Sequence, residues 1–400
     1  MLLDALTLQL GYNATLVALG AAALGLAAGT VGAFLFLRQR ALVSDAISHA
    51  TLPGLACAFL LMVAFGGEGR NLAGLMAGSA VSAWIGLWLT AWLTRRTRLS
   101  EDAAIGAVLS VFFGLGVVLL TVIQTMSAGR QAGLESFLLG STAGMLQSDA
   151  LLIAAGGALT LAATLLLRRP LLMIAFDEGY AAQRGLNVPA FDMALMTLVM
   201  AVTVTGLKIV GLILIVALLI IPPVAARFWT DRAPHVAMLS GLIGGASGYA
   251  GAALSATAPQ LPTGPIIVLT SFALFTLSLI AAPGRGVLAT VVRHRRLQRR
   301  VHLRQGLLAL AHGQPVYEDL TRRMLRANGL LRADGVPTER GRARAAQEAL
   351  DEARWQALRR APHLSELAAR DDGLTRIEDI LTRDQIATLD TRLGPKGTVA

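Results

Sequence analysis

Asp45 and His49 stand four residues apart in the stretch Ser44-Asp45-Ala46-Ile47-Ser48-His49-Ala50-Thr51-Leu52-Pro53-Gly54. On a helix this spacing puts both side chains on one face, one turn apart. A carboxylate oxygen beside an imidazole nitrogen suits Mn, Fe or Zn, and no thiolate stands with them to hold a softer metal. Pro53 and Gly54 mark a helix kink. A proline inside a helix removes the hydrogen bond to the carbonyl four residues back, which is that of His49, and so leaves a backbone oxygen beside the imidazole. The competing reading is a hydrogen-bonded pair that only stitches helices together. Two ligands are a partial shell, which suits a site that must let its ion go. Whether Ser44, Ser48 or Thr51 also touches the ion stays open.

The elements that must carry this pair are apolar. Of the 400 residues 54% are apolar and 15% charged, a balance that does not suit a soluble domain. A bilayer core about 30 Å thick needs about 20 apolar residues per helix. Runs of that kind occur at 14–37, 43–65, 71–94, 102–126, 148–167, 190–207, 209–228, 236–256 and 264–282. Nine spans are expected. Eight or ten are the alternatives, because Gly206 to Gly211 splits one run and the segment 133–146 is too short to cross. Arginines follow the odd-numbered runs (Arg38 and Arg40; Arg95, Arg96 and Arg98; Arg168, Arg169 and Arg184; Arg227 and Arg232), which places the N-terminus outside and the C-terminus in the cytoplasm. The first run lacks a basic leader and is read as a retained helix. Many of the 41 glycines fall inside the runs, as in a tightly packed bundle.

The fold class expected is therefore all-α, a polytopic membrane helical bundle over residues 1–284, followed by a small soluble basic domain over 285–400. The first part has a net charge of +2 and the second +8. Short amphipathic helices are predicted at 303–312, 316–328 and 338–360, with Thr338 as the N-cap of the last. The single cysteine, Cys57, excludes a disulfide scaffold and a thiolate zinc module. No Gly-x-x-x-x-Gly-Lys-Ser/Thr occurs, so ATP hydrolysis is not expected here and the chain is not read as an enzyme. An intramembrane metalloenzyme would need more ligands than His49, the one histidine well inside a span. A proton-coupled secondary metal transporter using Asp45 and His49 as a relay is the alternative function. Gln124, Asp192, Lys208 and His235 fall near span ends and are read as interfacial anchors.

The stretch Leu37 to Gly54 resembles the signature of permease subunits of ATP-binding-cassette importers for manganese, zinc and iron. The resemblance extends through Ser136-Phe137-Leu138-Leu139-Gly140-Ser141 and through Gly211 to Pro222, and covers residues from about 10 to 284. It implies that Asp45 and His49 contact a transported Mn2+, Zn2+ or Fe2+, with no permanently bound cofactor and with ATP on a partner subunit. It implies further partners: a cytoplasmic ATPase, an extracytoplasmic metal-binding protein, and a second permease, copy or paralogue, all at a bacterial plasma (inner) membrane. Ala181 and Gly185, in the loop Phe176 to Asn187, match an alanine-then-glycine pattern that docks into the ATPase. Gly179-Tyr180 interrupts that pattern. The segments Leu320–Leu330 and Thr338–Ala346 are similar to the winged-helix part of metal-dependent repressors. A protein-contact or regulatory module is the preferred reading of this extension, and nucleic acid is not an expected partner.

Overall fold

A computed structural model describes residues 12–67, 69, 71–126, 147–207, 211–257, 261–360, 365–369 and 371–393. The chain is helical almost throughout, and the only β pairing among the described residues is one bridge between Leu331 and Pro337. It divides into two compact units, Met1–Ala289 and Thr290–Ala400.

The first unit contains α1 (Tyr12–Leu37), α2 (Ala41–Ala64), α3 (Leu72–Arg96), α4 (Glu101–Thr125), α5 (Gln147–Phe176), α6 (Glu178–Gln183), α7 (Val188–Gly206), α8 (Leu212–Arg227), α9 (Ala233–Ser255) and α10 (Thr263–Ala281). Eight of these are long and apolar enough to cross a membrane, so the protein is a multi-pass membrane protein. The expected seventh span, 209–228, is α8, whose 16 residues reach only about 24 Å at 1.5 Å per residue. It starts after Gly211, whose φ of 84° no helix interior accepts. The segments 133–146 and Ser136–Ser141 lie outside the described residues.

Apolar side chains gain little by leaving lipid for one another, so close backbone approach must hold membrane helices together. On α1, a Cβ at Gly25 would collide with the carbonyl of Gly244 on α9, and one at Gly29 with that of Ser240. Ser240 Oγ then donates to the Gly29 carbonyl across this contact at 2.5 Å. α2 packs in the same way between α3 and α4, and this sandwich positions the candidate site.

In the second unit, α11 (Val287–Ala311), α12 (Asp319–Ala327) and α13 (Glu339–Arg359) precede α14 (Ser365–Ala368), a 3-10 turn (Ile377–Asp379) and α15 (Arg383–Leu393). α11 begins well before the expected residue 303, because Val287 to Arg300 contains no glycine or proline to stop it. Thr338 caps α13, its hydroxyl accepting from Gly341 N–H at 3.0 Å. One small core gathers Leu307, Leu325, Leu330, Leu331 and Ala345; another gathers Trp355, Leu358, Ile377, Leu381 and Leu389.

Candidate metal site

Along α2 the polar residues divide between two faces. Ser44, Ser48 and Thr51 are fully buried, and their hydroxyls donate to the carbonyls of Ala41, Ser44 and Ser48 within their own helix. Their donors are thereby spent locally. Asp45 and His49 lie on a neighbouring, partly open face: the carboxylate side chain is 43% exposed and the imidazole 18%. His49 Nε2 stands 3.4 Å from Asp45 Oδ1, at the edge of hydrogen-bonding range. The ring edge meets Phe113 of α4, with centroids 4.9 Å apart and planes at 83°. Among the described residues His49 Nδ1, the ring nitrogen that does not face Asp45, is buried and has no hydrogen-bond partner.

Pro53 lies inside α2 without breaking it. One residue past the carbonyl that Pro53 frees, Ser82 Oγ of α3 donates to the Ala50 carbonyl at 2.6 Å. Gly54 and Gly78 touch backbone to backbone, and a Cβ on either would collide with the other helix. From the opposite side Gly116 of α4 closes onto Leu52 and Pro53. The turn after His49 is therefore gripped from two sides, which fixes the direction in which the pair faces.

Among the described residues no group of three or more His, Cys, Asp or Glu could hold a metal ion, so the pair forms a partial donor set. Its geometry still suits an ion. Two ligands each about 2.1 Å from one metal stand about 3.0 Å apart in an octahedral shell and about 3.4 Å apart in a tetrahedral one. One carboxylate oxygen and one imidazole nitrogen suit borderline divalent metals.

Of the predicted docking residues, Ala181 sits on α6, a single turn and a half after α5, and Gly185 in the turn that follows it. Asp177 caps it, its Oδ1 accepting from Tyr180 N–H at 2.9 Å. The helix ends in a left-handed turn: Gly185 has φ +83°, its N–H donates to Ala182, and Leu186 N–H reaches back to Ala181 at 3.1 Å. Ala181 and Gly185 face opposite ways. Ala181 is completely buried and holds α6 against its own bundle, whereas Gly185 is exposed, and among the described residues a Cβ there would meet nothing within 4 Å. Gly179, Tyr180, Ala182 and Gln183 share the exposed face.

One functional candidate escapes the sequence reading. Asp192, an interfacial anchor by sequence, is drawn into a largely buried ion cluster with Arg38 and Arg40, 154 and 152 positions away in the chain. The only signal for this was an acidic residue one turn into an apolar span.

The comparisons with known proteins match this architecture. The family model described as "ABC 3 transport family" matches residues 12–282. The manganese transport system membrane protein MntC of Bacillus subtilis is 39% identical over 308 residues, covering 77% of this chain and 70% of the relative. The zinc transport system membrane protein TroC of Treponema pallidum is 40% identical over 286 residues, covering 72% and 94%. Among solved structures, PsaBC from Streptococcus pneumoniae in complex with Fab contains a chain with a TM-score of 0.61 and 29% identity, covering 71% of this chain and 98% of that one.

Proposed function

The chain belongs to the ABC 3 transport family, and on that premise we propose that it is the transmembrane permease subunit of an ATP-driven importer of divalent transition metal. Manganese and zinc are the foremost cargoes, as the relatives' names suggest, with iron third. The observation that supports the site is the Asp45–His49 pair, whose Oδ1 and Nε2 stand 3.4 Å apart on a partly open face of α2. The ion is cargo. Asp45 and His49 would supply two ligands per chain, and water or a second permease the remainder, so that the shell loosens when the bundle rearranges.

ATP is hydrolysed on a separate cytoplasmic subunit, which in this reading docks on the exposed face of α6 around Tyr180, Ala182 and Gly185. Ala181 serves that contact from behind by seating α6. An extracytoplasmic binding protein delivers the ion to a bacterial inner membrane in which the N-terminus faces outward and the C-terminus the cytoplasm. Nine passages satisfy that orientation if the short α8 is one of them. Residues 1–284 form the permease and 285–400 a cytoplasmic extension acting as a protein-contact or regulatory module.

The deciding experiment measures uptake of Mn2+, Zn2+ and Fe2+ into proteoliposomes of the chain with its ATPase and binding protein, for wild type and Asp45→Ala. ATP-dependent uptake of one ion, lost in the variant, is expected. Failure of an assembled complex to move any of the three ions would overturn the reading.

A further inference from the structure

Arg38 ends α1, and its side chain is only 6% exposed. Arginines at membrane boundaries usually extend their guanidinium into water. This one turns inward and touches three successive elements. Nη2 donates to both carboxylate oxygens of Asp192 on α7 at 2.8 Å, and Nη1 donates to Glu178 of α6 at 2.5 Å and to the Ile174 carbonyl of α5 at 3.0 Å.

Two residues on, Arg40 Nη1 meets Asp192 Oδ2 at 3.2 Å and Arg40 Nε meets Glu101 of α4 at 3.1 Å. The residue between them is held stiffly. Gln39 adopts a left-handed φ of 57°, its N–H donates to Phe36, and the Arg40 N–H reaches back to Leu35 at 3.2 Å. Glycine usually takes that position, and a side chain there accepts strain to keep the turn. α2 begins at Ala41, and Asp45 lies five residues past Arg40, about 7.5 Å along the helix axis.

We infer that Arg38 is a positioning residue for transport, the joint through which displacement of α6 reaches the helix carrying Asp45 and His49. This rests on the proposed docking of an ATPase at α6. The burial supports it: buried ion pairs add little stability compared with apolar side chains of the same size, and their best-attested use is to specify register or to switch. The network is also one bond short. Among the described residues Arg38 Nε is buried without an acceptor, so a donor is left to be taken up when the carboxylates shift.

The test uses the whole complex with its ATPase and binding protein in proteoliposomes, and reads metal taken up per ATP hydrolysed together with ATPase co-purification. Arg38→Met combined with Asp192→Leu removes the joint yet leaves no lone buried charge on either partner. Glu178→Gln cuts only the partly exposed link to α6, whose glutamate side chain is 58% exposed, and serves if the double variant does not fold. The ATPase should remain bound and hydrolyse ATP, while uptake per ATP falls about tenfold in the double variant and several-fold in Glu178→Gln. Metal binding by the detergent-solubilised permease, read by Mn2+ titration, should not change. An unaltered ratio in a folded variant with ATPase bound would overturn the role of Arg38, and so would loss of ATPase binding, since a buried arginine cannot touch the partner. Normal assembly and transport in Gly185→Trp would instead sink the docking reading itself.

Discussion

Two charged clusters lie within a few residues of each other in the membrane unit, and they are built on opposite terms. The Asp45–His49 pair is open and under-satisfied: one carboxylate, one imidazole, a 3.4 Å separation and an orphaned ring nitrogen. The Arg38 cluster is closed and crowded, with two guanidiniums sharing Asp192 and reaching Glu178 and Glu101 besides. Charge in a low-dielectric region must be compensated. In the second cluster the chain does so with several of its own opposite charges, and in the first with a single carboxylate beside a single imidazole. The number of opposite charges within reach, rather than full satisfaction, thus separates the two clusters, since each keeps one buried nitrogen without a partner among the described residues.

The contrast is broken most severely at the open pair. Asp45→Ala and His49→Ala should each lower ATP-dependent metal uptake by about 100-fold or more, since each removes one of only two protein donors. Membrane insertion and thermal unfolding should stay close to wild type, because neither side chain makes a strong bond within the chain. Uptake surviving in both variants would remove the pair from the ion path. In the closed cluster the opposite pattern is expected. Arg38→Ala should destabilise the bundle by about 3–5 kcal/mol, leaving Asp192 buried with Arg40 alone. Asp192→Leu together with Arg38→Met should recover most of that loss in a thermal unfolding assay; equal instability of the single and double variants would show that the charges are not coupled.

This difference also explains what could be read beforehand. Asp45 and His49 were legible because both the spacing and the chemistry are local, on one helix. The apolar runs were legible for the same reason, and the short α8 appeared in advance as the weak point between Gly206 and Gly211. The Arg38–Asp192 contact joins positions 154 residues apart, and each residue alone looks ordinary: a cytoplasmic arginine and a boundary aspartate. Hydropathy shows which segments enter lipid but not which of them touch. The glycine contacts between α1 and α9, or between Gly54 and Gly78, are invisible for the same reason, since a glycine in a span does not declare its partner. The opposed directions of Ala181 and Gly185 likewise needed the backbone of α6, whose two ends are set by Asp177 and by the left-handed turn.

A smaller effect is expected at the turn that ends α6. Any residue other than glycine at position 185 is strained by φ +83°, at about 1 kcal/mol for alanine. Asparagine tolerates that conformation better than other side chains and so separates strain from obstruction. Gly185→Asn should transport within about twofold of wild type, whereas Gly185→Trp should reduce ATPase co-purification by about tenfold or more through steric blockage. Equal behaviour of the two variants would mean that backbone strain, not contact with the partner, governs this position.

The smallest effect belongs to the extension, which carries a buried carboxylate with a single weak compensation. Asp351 is 8% exposed and accepts one hydrogen bond, from the Ile377 N–H at 3.2 Å. Burial pushes its pKa above the ordinary 3.8, and the nearby Glu348 adds to this against the opposing Ile377 N–H and Arg304. The folded state therefore holds this proton more tightly than the unfolded state does. Stability from this group is greatest below about pH 4 and declines as pH rises through the raised pKa, after which it stays level. Asp351→Asn keeps an acceptor for Ile377 and removes the charge. Hydrogen exchange of the segment 345–390 in the full chain should then be slower in the variant than in wild type near neutral pH, by about two- to fivefold, and the gap should close on acidification toward pH 4. Faster exchange in the variant at neutral pH would show instead that the charged carboxylate is held by Arg304 and Arg376, as Asp192 in the membrane unit is held by Arg38 and Arg40.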